Sequence, residues 1–148
     1  MLRTRVKPAE LAGAVLLLAG LAVATAASAQ DAIPQLTGVW SGKGIGGAVS
    51  GKLGHQPQTT EPAFKDLTVT WTLTIDKQEG SGLIGSWSSP NKAEKLVGVI
   101  RPDNKTVLFV DEDTYFSAIL RSENEMETCL QETGGGSMVA TCYILKRP

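Results

Sequence analysis

Residues 67–75 read Leu-Thr-Val-Thr-Trp-Thr-Leu-Thr-Ile, and this stretch decides the fold. Leu67, Val69, Trp71, Leu73 and Ile75 occupy the odd positions, and Thr68, Thr70, Thr72 and Thr74 the even ones. A helix would scatter the five apolar side chains around its circumference, whereas a strand gathers them on one face. β-branched and aromatic side chains also suit a pleated surface. The stretch therefore predicts a strand with one face in a core and a ladder of threonine hydroxyls in water.

Working outward, similar short patterns recur at 36–42, 83–88, 95–101, 106–110, 114–121, 125–131 and 137–146. Turn chemistry separates them: Gly80 and Gly82 in one turn, Pro102-Asp103-Asn104 in another, and the glycine run 134–136 before the last strand. No segment beyond residue 30 has a helical period. The sequence predicts an all-β fold, an antiparallel up-and-down meander of about eight strands. A closed or nearly closed barrel removes the exposed edges of such a sheet. A β-sandwich accommodates the same alternation and stands as the alternative. Residues 43–62 carry glycine and proline with few apolar side chains, and they read as a long Gly-rich loop with a short strand near 48–53.

The first 29 residues read as an address. Arg3, Arg5 and Lys7 precede an apolar run at 11–24, and Ala27-Ser28-Ala29 supplies the small-x-small pattern of a cleavage site. The run is about 14 residues, short of the roughly 20 that a spanning helix needs. The expectation is a cleaved secretory signal peptide and a single domain over 30–148, without an integral membrane segment, in the periplasm or outside the cell. The leader holds three basic residues and Glu10, a net +2, so the rest of the −1 chain carries −3. That balance argues against a nucleic-acid partner, which demands clustered positive charge.

Both cysteines, Cys129 and Cys142, fall after the leader. An even count in an oxidising compartment points to a disulfide. Pairing the two as opposed residues of the last hairpin sets Glu132 against Val139 and Thr133 against Met138, leaving 134–137 as the loop. A metal is not expected, because two thiols without a neighbouring histidine do not complete a tetrahedral site.

Leu36-Thr37-Gly38-Val39-Trp40 places a Gly-x-Trp on the first strand, and Arg147 follows the last. These positions resemble the calycin group, the lipocalins and avidins. The resemblance implies a closed or nearly closed eight-stranded barrel in which Trp40 closes one end and Arg147 packs across it, with Gly38 beside them. No ligand residues of those families can be placed here.

No catalytic set or cofactor motif emerges. His55, the only histidine, sits in the glycine-rich stretch without an evident partner in sequence. Asp111, Glu112 and Asp113 are consecutive and lack the alternating spacing of a calcium loop, so they read as a charged turn. Glu123, Glu125 and Glu127 share one strand face by period two. Trp40, Trp71 and Trp87 lie on three strands and could line a ligand cavity, since an eight-stranded barrel either fills with side chains or holds one small ligand. The first functional reading is a non-catalytic exported binding module for a small apolar ligand, or for a macromolecule held at 43–62. The alternatives are an inhibitor of an exported hydrolase, such as lysozyme or a protease, that uses the acidic strand, and an enzyme using His55.

Overall fold

A computed structural model describes residues 32–51, 59–66, 68–134 and 136–148. The leader expected at 1–29 and His55 lie outside the described residues. Nine strands follow in chain order: β1 (Gly38–Gly51), β2 (Thr59–Lys65), β3 (Thr70–Glu79), β4 (Gly82–Ser88), β5 (Ala93–Ile100), β6 (Thr106–Val110), β7 (Thr114–Ser122), β8 (Glu125–Gly134) and β9 (Ser137–Lys146). Each of β3 to β8 pairs antiparallel with the next, β9 returns to pair with β1, and β1 pairs with β3. Eight strands thus close into an antiparallel barrel, and β2 is one strand extra, flanking β1. Among the described residues no helix is long and apolar enough to cross a membrane.

Alternation sorts the side chains. Trp71, Leu73 and Ile75 of β3 point into the barrel, and Thr72 and Thr74 point out, half-exposed. Leu83 and Trp87, Val107 and Phe109, and Met126 and Leu130 continue the inner face on β4, β6 and β8. These residues belong to one contiguous core cluster that runs from Leu36 to Leu145. Burial of such side chains contributes roughly 1.5–3 kcal/mol each and dominates the stability of the fold.

The segment expected to be a loop is largely strand. Residues 43–51 continue β1, and 59–62 open β2. Glycines give no alternation to read, but their backbone pairs like any other, and here it finds partners on both sides. Residues Gly38 to Lys43 pair with β3, from Gly38↔Ile75 to Lys43↔Thr70. Beyond them β1 leaves β3 and takes β2 instead, with Gly47↔Lys65 and Val49↔Ala63. It keeps β9 on its other side, with a register shift between Gly44 and Gly47. Gly46 stands there at φ +100, a conformation that a side chain would strain. The far half of β1, with β2 and the tip of the β8–β9 hairpin, forms a ribbon extending from one end of the barrel. Val49 is buried in it against Val139.

The β8–β9 hairpin is stapled by the Cys129–Cys142 disulfide. Its register sets Cys129 against Cys142, Glu132 against Val139 and Thr133 against Met138, and it runs one pair further than expected, to Gly134↔Ser137. The Ser137 hydroxyl donates to the Gly134 carbonyl at 2.7 Å there. A disulfide is compatible with an oxidising compartment.

The opposite end of the barrel is closed by the segment before β1. Leu36 is buried, its N–H donates to Gln78 Oε1 at 2.8 Å, and Gln78 Nε2 donates back to the Pro34 carbonyl at 2.9 Å. Trp40 Nε1 donates to the Leu36 carbonyl at 2.9 Å. Arg147 lies over the other side of that indole, 4.2 Å from its ring centre, and donates to the Gln35 carbonyl at 2.9 Å.

Candidate functional site

The three tryptophans are placed by alternation on β1, β3 and β4, and all face the interior. Trp40 sits at the end closed by residues 32–36. Trp71 and Trp87 sit towards the other end, stacked with ring centres 5.0 Å apart. Tyr143 meets both edge-on, at 5.9 and 5.6 Å, and Phe116 meets Trp87 at 5.1 Å. Trp40, Trp71 and Trp87 are 0, 3 and 1% exposed. A ligand-sized space beside the rings would expose them, so they pack against one another and their neighbours. Burial pushes the Tyr143 phenol up to about 12, so it stays neutral at any physiological pH.

Two glycines near Trp87 leave no room beside it either. A Cβ on Gly85 would stand 1.9 Å from the Thr74 carbonyl oxygen of the neighbouring strand, and one on Gly98 would stand 2.4 Å from the Phe109 ring. These glycines admit backbone and ring at close approach.

The end of the barrel beyond Trp71 and Trp87 is rimmed by carboxylates. Glu94 at the start of β5 and Asp111 and Asp113 of the β6–β7 turn bring oxygens within 4.8 Å of one another, the described residues best placed to hold a cation. Their own surroundings account for much of the arrangement. Asp111 Oδ1 accepts the backbone N–H groups of Asp113 and Thr114, at 3.2 and 2.7 Å, and the Thr114 hydroxyl donates to Asp113 at 3.0 Å. Lys92 is ion-paired with Glu94, and that bond holds its pKa above the usual lysine value. Burial raises the Asp111 carboxyl, against the pull of its backbone donors. Sequence spacing showed only the turn, because Glu94 arrives from another strand.

The glutamates of the β7–β8 hairpin divide. Glu123 lies in the turn, exposed, while Glu125 and Glu127 share the outer face of β8. Both are paired: Glu125 with Lys146 at 3.0 Å and Glu127 with Arg121. The strip is close to neutral, which weakens it as a docking ground for a basic enzyme.

The ribbon offers a different surface. Its outer face carries Ala48, Ser50, Pro62, Met138 and Ala140, which line a shallow groove of about 420 Å³. Phe64, paired across from Ala48, projects from the same face and is 93% exposed. Among the described residues β2 closes no further pair, so it is the edge of the described sheet. This surface lies within 43–62 and its immediate neighbours, and its exposed Phe64 falls two residues past the stretch that the sequence singled out.

Compared with known proteins, the chain matches no family model, no curated protein and no solved structure.

Proposed function

We propose that this protein is an exported, non-catalytic binding module that holds a macromolecular partner on the outer face of its ribbon. One observation carries the proposal: Phe64 stands fully exposed on an open edge strand beside an apolar groove. An edge strand supplies a row of backbone donors and acceptors, and alternate side-chain positions beside it supply specificity. The partner is an extended, apolar-bearing segment of another exported protein. It adds alongside β2 and covers Phe64 and Met138.

The tight packing around Trp71 and Trp87 supports a partner held outside the barrel over a small ligand held inside it. The ion pairs at Glu125 and Glu127 favour the ribbon over the acidic strand as the working face, and with it a binding module over a hydrolase inhibitor. Export is supported by the leader pattern of 1–29 and by the disulfide. Kinship with the calycin group is part of the same proposal, supported by the eight-strand closure and by Arg147 over Trp40.

The test is a photo-crosslinking residue at position 64 in the chain produced with its own leader. A discrete adduct with a second, different protein is expected at 64 and not at Thr72 on the hydroxyl face. Absence of any adduct at 64, or the same adducts at both positions, contradicts the proposal.

A further inference from the structure

The outward face of a barrel strand ordinarily meets water and is polar, as Thr72 and Thr74 of β3 are. β4 to β7 break that rule. Ile84, Val97, Val110 and Tyr115 form one cross-strand row, each directly paired with the next. Val99 and Leu108 form a second pair two residues along. All six point outward and are between 39 and 65% exposed. The strip amounts to roughly 600 Å² of mostly apolar surface, at the upper limit of what monomeric proteins leave uncovered. Its borders along the row are polar: Lys77 pairs beyond Ile84, and Gln131 pairs beyond Tyr115.

A membrane-embedded barrel needs an apolar band around its whole circumference. Here the band is interrupted by Lys77 of β3 and Gln131 of β8. The strip is one-sided, which suits a single flat partner.

We propose that two copies of this chain pair face to face through the outer surface of β4–β7, across a two-fold axis lying perpendicular to the strands. Two features select a second copy as the occupant. The area is close to the ~800 Å² per partner of a standard interface, so the strip alone nearly fills a stable dimer contact. The charges of the two turns that flank β6, its central strand, are self-complementary under that axis. The turn before β6 carries Arg101 and Lys105 against Asp103, and the turn after β6 carries Asp111, Glu112 and Asp113. Running β6 over its antiparallel copy sets each basic turn against an acidic one, twice. Sheet faces pack in this way in sandwiches, with interdigitating aliphatic side chains. This pairing uses β4–β7 and leaves β1 and β2 of the ribbon uncovered, with Gln131 between the two surfaces.

The mass of the chain, purified as the cell processes it, decides the matter by sedimentation equilibrium between about 1 and 100 µM, the range in which an interface of this size holds. Twice the chain mass is expected. Val97→Lys with Leu108→Glu should give a monomer with unchanged circular dichroism, because both side chains point outward, and Lys105→Glu should weaken the dimer several-fold. Thr72→Lys should remain dimeric. A monomeric wild type at 100 µM overturns the proposal without recourse to any variant. So does a dimer that survives the Val97/Leu108 change, or a wild-type chain that binds lipid vesicles in place of a second copy.

Discussion

Arg147, just beyond the last strand, lies 4.2 Å over the ring of Trp40 on the first, and through its side chain the chain's end holds the segment that closes the barrel. A guanidinium over an indole face contributes about 0.5–2 kcal/mol, and its hydrogen bond to the Gln35 carbonyl adds to that. Arg147→Ala is expected to lower stability by about 1–2 kcal/mol, read as a lower urea midpoint with an unchanged slope. Arg147→Lys keeps the charge but not the planar fork, so it should fall between the two.

The hydroxyl of Thr128 is buried in the barrel and meets no hydrogen-bond partner among the described residues. An unsatisfied buried hydroxyl costs free energy that an apolar isostere does not. Thr128→Val should therefore stabilise the protein by about 1 kcal/mol in equilibrium denaturation. A loss of stability would show that the hydroxyl is satisfied.

The disulfide closes the β8–β9 hairpin. Removing it with Cys129→Ala and Cys142→Ala should cost about 2–4 kcal/mol. A two-state domain of this size then melts roughly 10 °C lower. Scanning calorimetry of the double variant checks this, and an unchanged melting point would mean that strand pairing alone fixes the hairpin.

Asp103 clamps the β5–β6 turn. It accepts the backbone N–H groups of Thr106 and Lys105 at 2.8 and 3.0 Å, and the Thr106 hydroxyl at 2.7 Å. These donors, the Thr106 N–H first, hold its carboxyl down at about 2 from a usual 3.8. Because the folded value is the lower one, the carboxylate's contribution is fully present above pH 3.8 and is lost as pH falls towards 2. NMR titration of the carboxyl should show a midpoint near 2. Asp103→Asn should remove that part of the acid dependence of stability.

Much of the barrel was legible because alternation and turn residues agree along 67–146. The run 106–110 coincides with β6, and the register of the last hairpin follows from opposing its two cysteines. The long β1 was hidden by its own glycines, which carry no side chain to reveal a face. β2 was hidden by Pro62, which argues against a central strand but is tolerated at an open edge. The apolar outer face was written in the sequence as unbroken runs, Leu96-Val97-Gly98-Val99-Ile100 and Val107-Leu108-Phe109-Val110. Runs of that kind belong to strands covered on both faces. The meeting of Glu94 with Asp111 and Asp113 needed the sheet register, which joins residues far apart in the chain.

The interior of the barrel is packed with side chains, and the proposed binding takes place on its outer face. Trp71 and Trp87 stand where an interior ligand would have to lie, so their fluorescence reports on it directly. Titration with a brominated long-chain fatty acid, which quenches only at contact, should leave the tryptophan emission unchanged. Saturable, one-to-one quenching would contradict the account and return the protein to the class of ligand carriers.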